Sequence, residues 1–275
     1  MATRDEGRLA TNTLNFHPGP HPTSSLLHRQ NPSSSPSSSP SSSTGRAKPL
    51  PLLFKSQSTH IPTYQKALVV ASTTSSNLTW LTPALQSSHW TSHIYTTDSS
   101  AADLTVPVNK GNEAMVYLTY IIDNYDTLPD IIFFHHDHAQ AWHQQFSSTY
   151  ELAHLNPLSV QKHGYLSPRC LPGCENVIQL SGDVAPLQDL KGSPRDVQIS
   201  SVLREFWSED GALPEKIAAP CCAQFAVTRE AVRRRGVETW RALREWLMKT
   251  DLDSRSSGRV LEYTWHLWFG MEAVQ

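Results

Sequence analysis

Three short apolar runs, each handing over to polar residues, constrain this chain more than any other feature. Lys66-Ala67-Leu68-Val69-Val70-Ala71 runs into Ser72-Thr73-Thr74-Ser75-Ser76, His93-Ile94-Tyr95 into Thr96-Thr97-Asp98, and Ile131-Ile132-Phe133-Phe134 into a histidine cluster. Runs of this length, rich in β-branched and aromatic residues and bounded by turn-formers, read as buried strands. Between the second and third, Met115, Leu118, Tyr120, Ile121 and Ile122 form a helical stripe that Tyr125-Asp126-Thr127-Leu128-Pro129 stops. Strand, strand, helix, strand predicts an α/β domain on a mostly parallel central sheet, with sites outside the carboxyl ends of its strands.

The C-terminal third reads as helical over 201–207, over 228–248 with Thr228 as N-cap, and over 259–269. Arg233-Arg234-Arg235, diluted by Glu230 and Glu238, reads as a solvated helix face without a function. Residues 1–62 differ. From Asn31 to Thr44 they read NPSSSPSSSPSSST, which offers nothing to bury against the entropy of ordering it. The expectation is a disordered Ser/Pro-rich leader over 1–62 and a single domain over 63–275. A passive tail is the favoured role; a phosphorylated linker or a mitochondrial presequence are alternatives, and Asp5 and Glu6 count against the latter.

Lys plus Arg is 23 against 25 Asp plus Glu, so no bulk charge draws the chain to nucleic acid or an anionic membrane. No run reaches the roughly 18–20 apolar residues of a membrane span, and no apolar signal core opens the chain. As written it is expected to be cytoplasmic.

Chemistry concentrates after the third strand, in His135-His136-Asp137-His138-Ala139-Gln140-Ala141-Trp142-His143. A continued extended backbone sends His136 and His138 to one face and His135 and Asp137 to the other. Imidazoles suit zinc and related metals, while a lone carboxylate suits a hard ion shared with a substrate phosphate. Glu262 and His266, at i and i+4 of a helix, form a second candidate as base and ligand. Asn109-Lys110-Gly111-Asn112-Glu113 places a glycine before a helix N-terminus, where N–H groups can meet an anion. Its spacing matches no phosphate-loop fingerprint, and an ordinary helix start with Glu113 on the dipole is favoured. Cys170, Cys174, Cys221 and Cys222 allow disulfides in three pairings, buried thiols, or a four-thiolate zinc site. Asn77-Leu78-Thr79 is a glycosylation sequon relevant only in the secretory pathway.

The blocks from Asn109 to Asp130, the histidine cluster with Ala141-Trp142-His143, Gly164-Tyr165 with Arg169-Cys170 and Pro172-Gly173-Cys174, Pro220-Cys221-Cys222-Ala223-Gln224-Phe225-Ala226-Val227, and Ser257-Gly258-Arg259-Val260-Leu261-Glu262-Tyr263-Thr264-Trp265-His266 together resemble a fungal family catalogued as domain of unknown function 3431. The resemblance covers about 66–270 and carries no established activity. It implies that many members begin with a membrane anchor leading into the secretory lumen, where the cysteine positions fit better, and this chain departs in having the Ser/Pro leader.

The leading expectation is a glycosyltransferase-like enzyme of the GT-A kind, with Mn²⁺ or Mg²⁺ on a nucleotide-sugar diphosphate and a carbohydrate or other small molecule as substrate. By analogy of layout, Asp137 with His136 or His138 replaces the acidic metal motif and His266 a C-terminal histidine ligand. Asp137 and Glu262 are the catalytic candidates, Glu262 as base. Asp98, Asn109, Lys110, Glu113, Gln224 and Arg259 are the substrate-binding candidates. The alternative is a hydrolase with Zn²⁺ on His136, His138 and His143, although HxHxDH is not met. A third reading is a non-catalytic module with Trp240, Trp246, Trp265 and Trp268 as core or a sugar-stacking surface.

Overall fold

A computed structural model describes residues 63–142, 144–168, 175–207 and 212–275. The leader expected over 1–62 therefore lies outside the described residues. The apolar runs form strands β1 (Lys66–Ser72), β2 (Thr91–Thr96) and β3 (Ile131–His136), with helices α1 (Leu81–Ser88) and α2 (Glu113–Asp123) between them. β1 pairs in parallel with both β2 and β3. The next elements are α3 (Ser148–His154), α4 (Pro157–His163), β4 (Tyr165–Leu166), β5 (Glu175–Gln179), α5 (Arg195–Phe206), β6 (Lys216–Pro220) and β7 (Phe225–Thr228). Helices α6 (Arg229–Val232), α7 (Val237–Lys249), α8 (Ser254–Glu262) and α9 (Trp265–Trp268) close the domain.

The five-stranded sheet runs β2-β1-β3-β7-β4, and β5 pairs with β6 in a separate antiparallel sheet. β7 is antiparallel to β3 and to β4, so the sheet is mixed around a parallel trio. The period of two along each strand divides the core. Val69, Ile132, Phe134, Phe225 and Val227 face α2, α7, α8 and α9 on one side, whereas Leu68, Val70, Ile131, Phe133 and Ala226 face α1 and α4 on the other. All ten are essentially inaccessible. Among the described residues no helix is long and apolar enough to cross a membrane.

Several local expectations change. The helix expected over 228–248 is two helices broken around Gly236, although Thr228 does cap the first, its hydroxyl accepting from the Ala231 N–H at 3.1 Å. The arginines are not merely a solvated face. Arg233 donates to the Tyr125 and Asp126 carbonyls, and Arg235 lies over the Trp207 and Trp268 rings while donating to the Trp268 carbonyl. Trp240, Trp246, Trp265 and Trp268 are all buried core, which removes them as a stacking surface.

One close approach positions the site. Gly258 on α8 lies against the turn before α2: a Cβ there would stand 2.8 Å from the Gly111 carbonyl oxygen and 3.2 Å from the Asn112 side chain. Gly111 has a φ of +72° and packs on Leu247, so the turn has little room to retreat. Gly258→Ala is expected to lose about 1 kcal/mol net, because overpacking exceeds the gain in helix propensity. Urea denaturation of the variant beside the parent measures it.

Candidate functional site

β1 turns to β2 on one side and β3 continues toward β7 on the other, so their carboxyl ends part at a topological switch, where open α/β sheets form crevices. A cleft of about 280 Å³ opens there. Ala71, Ser72 and Thr73 line it from β1, Thr97 from the end of β2, Asn109, Asn112 and Glu113 from the start of α2, and His136, Asp137 and His138 from β3. A second cavity of about 330 Å³ adjoins it, lined by Asn77, Thr79, Trp80, Asp137, His138, Ala139 and Gln140. Asp137 and His138 are the wall common to both.

The histidine cluster divides, but not as simple alternation requires. His135 points inward with no exposure, its Nε2 3.4 Å from Glu151 and its ring 3.1 Å from the Gln224 amide nitrogen. His136 and His138 share a side, with Nδ1 of the first 3.3 Å from Nε2 of the second. Asp137 joins them because β3 ends at His136 and the chain turns. Its Oδ1 is 3.1 Å from His138 Nδ1, its Oδ2 accepts from the Ser76 hydroxyl, and its carbonyl accepts from the Trp80 indole at 2.8 Å. The His138 hydrogen bond, then that of Ser76, holds its carboxyl down at about 2 against the opposing effect of burial.

Glu113 is the counterpart across the cleft. Burial pushes its carboxyl up to about 8, its own backbone N–H opposes this, and the charge of Glu262 adds to the rise. Glu262 does not line the cleft; it is half-buried behind it and accepts from the Cys222 N–H at 2.9 Å. Its carboxyl is also raised by burial, with the Cys222 hydrogen bond and Arg259 pulling the other way.

Five of the sequence candidates therefore meet: Asn109, Glu113, His136, Asp137 and His138. Asp98 sits one residue beyond Thr97 and accepts from the Thr74 N–H at 2.7 Å and its hydroxyl at 2.8 Å, tying the β1 loop to β2. Lys110 turns away to the Thr250 carbonyl, and the second amide of α2, that of Ala114, is taken by the Gly111 carbonyl. Gln224 is buried against His135, and Arg259 is exposed on α8. His266 is a correction as a ligand. It is 1% exposed, its Nε2 lies 3.3 Å from the Ala273 carbonyl, and burial lowers its pKa to about 4. Among the described residues no three of His, Cys, Asp and Glu are grouped to hold a metal, and His266 lies outside the cleft that His136, Asp137 and His138 line.

Cys221 and Cys222 are bonded to each other, which removes the four-thiolate zinc reading. Cys170, Cys174 and His143 lie outside the described residues. Sequence reasoning passed over Ser72, Thr73, Thr97 and Asn112. The polar steps ending the first two strands were the signal for the first three, since carboxyl ends of parallel strands face the crevice.

Compared with known proteins, the chain matches the family described as Protein of unknown function (DUF3431) over residues 68–275. No curated protein and no solved structure matches it.

Proposed function

We propose that this chain, which belongs to the DUF3431 family, is a divalent-metal-dependent glycosyltransferase that takes a nucleotide-sugar donor at the ends of β1, β2 and β3. The observation that carries the reading is the common wall: Asp137 and His138 face two adjoining cavities, the arrangement a reaction between two bound substrates requires. The cleft with Thr73, Thr97, Asn109 and Asn112 supplies hydroxyl and amide groups for a nucleoside diphosphate, and Glu113, kept protonated near neutral pH by burial, adds a carboxyl that can donate to it. The cavity with Asn77, Thr79 and Gln140 takes the acceptor.

The residues fit Mn²⁺ or Mg²⁺ of the kind held by one or two carboxylates together with substrate phosphates, because Asp137 stays ionised and each of its oxygens retains a lone pair. Asp137 would hold the cation, which would neutralise charge on the departing diphosphate. His138 replaces Glu262 as the proposed base. It borders both cavities, and Asp137 orients its ring through Nδ1. An acceptor hydroxyl gives its proton to His138 as its oxygen bonds to the anomeric carbon, and the nucleoside diphosphate leaves.

The test is the melting temperature of the full chain against uridine and guanosine diphosphate sugars, with and without Mn²⁺. A ligand at about ten times its Kd adds about 1.4 kcal/mol, a rise of roughly 3–6 °C for a domain of this size. A Mn²⁺-dependent rise with one nucleotide class, lost in Asp137→Asn, is the expected result. No rise with any nucleotide sugar would overturn the proposal.

A further inference from the structure

We propose that Cys221–Cys222 is a reversible thiol–disulfide site whose state decides whether the turn between β6 and β7 grips the Glu262 carboxylate, an inference independent of the transferase reading. The bonded cysteines are neighbours with Cα atoms 3.7 Å apart, so the sulfurs close the smallest ring that two cysteines can make. The turn is unusual in its backbone as well. Cys222 at φ 85° and Ala223 at φ 44° both occupy the left-handed region that side chains with a Cβ avoid, and neither is a glycine.

Two hydrogen bonds read out that conformation. The Cys222 N–H donates to Glu262 at 2.9 Å on α8, and two residues on the Gln224 amide reaches His135 at the end of β3. Glu262 in turn adds its charge to Glu113 in the cleft. A bond between neighbours closes almost no loop in the unfolded chain, so it contributes little to global stability through chain entropy, and its consequence is local. Both cysteines are half-buried, which leaves them within reach of a small dithiol.

The reductant is a dithiol. One of its thiolates attacks a protein sulfur to give a mixed disulfide, and its second thiolate displaces that sulfur. The protein gains two electrons and two protons as two thiols, and the reagent leaves as its own disulfide. Without the ring, Cys222 is free to return to negative φ, and the Cys222 N–H leaves Glu262.

The experiment uses the full chain carrying Cys170→Ser and Cys174→Ser, with the bond followed by mass and the Cys222 amide by NMR hydrogen exchange. The oxidised chain is expected to lack two hydrogens and to protect that amide. Dithiol should raise its exchange by about tenfold or more, reversibly on reoxidation, with the melting temperature nearly unchanged. Glu262→Ala should expose the amide in both states while the bond still forms. Should the double serine variant fail to fold, the wild-type chain gives the same reading with Cys170 and Cys174 tracked by alkylation mapping. Cys221 and Cys222 that remain open to alkylation after oxidation, or an amide exchanging equally in both redox states, would overturn the proposal.

Discussion

Trp265→Ala is expected to destabilise the chain by about 3–5 kcal/mol, the largest single effect anticipated here. The indole is 1% exposed and lies with ring centroids 5.9 Å from Tyr117, 5.7 Å from Phe225 and 6.0 Å from Phe269. Removing it loses the transfer free energy of a large side chain and leaves a cavity that three rings from three different segments must collapse to fill. Those segments also hold Glu113 in the cleft and, outside it, Gln224 and Glu262. Tyr117 is one turn along α2 from Glu113, Phe225 follows Gln224, and Trp265 itself begins α9 just after Glu262. Urea denaturation followed by circular dichroism measures the loss, and Trp265→Phe, which keeps part of the ring volume, should cost clearly less. A loss below about 1 kcal/mol for the alanine variant would contradict the packing described.

Glu113→Gln is expected to stabilise the chain by about 2–3 kcal/mol near pH 8.5 and to change it little at pH 4. The sign follows from proton binding. Burial raises this carboxyl from 4.5 to about 8 in the folded chain. Between those values the folded state therefore holds more protons than the unfolded one, and stability falls as pH rises. Above about pH 8 the penalty is complete; below 4.5 it vanishes because both states are protonated. The full shift sets a ceiling of about 5 kcal/mol, reduced because Glu113 borders an open cleft and because a glutamine gives up the favourable interaction of an acid with the helix N-terminus. Parallel denaturation curves at the two pH values test it. Equal stability of variant and parent at pH 8.5 would show that Glu113 ionises without penalty.

Much of the fold was legible because its signal is short-ranged. Val69, Val70, Phe133 and Phe134 alternate between two buried faces, and a period of two needs nothing beyond the strand itself. The same holds for the helix over Met115 to Ile122, which is buried on every side rather than along one stripe, and for Thr228 as a cap. Strands β4 to β7 were not legible. Tyr165–Leu166 and Phe225–Thr228 are too short to display a period, and their places in the sheet come from pairing with each other and with β3.

By itself, then, the sequence determined an α/β core around three apolar strands, with His136, Asp137 and His138 where the third strand ends and Asn109 and Glu113 where the helix before it begins. Each of those assignments rests on neighbours within a turn or a strand. Only the tertiary structure decided which of the others belong with them. Glu262 and His266 stand at i and i+4 in the chain, yet the helix breaks between them, so Glu262 ends α8 behind the cleft and His266 sits on α9 in the core. Asp137 and His135 share a strand face on paper, yet the chain bends after His136, sending one to the cleft and the other to Glu151 and Gln224. The pairing of Cys222 with Glu262 and the meeting of α8 with Gly111 have no local signature at all, because each depends on the shape of a core assembled from segments far apart in the chain.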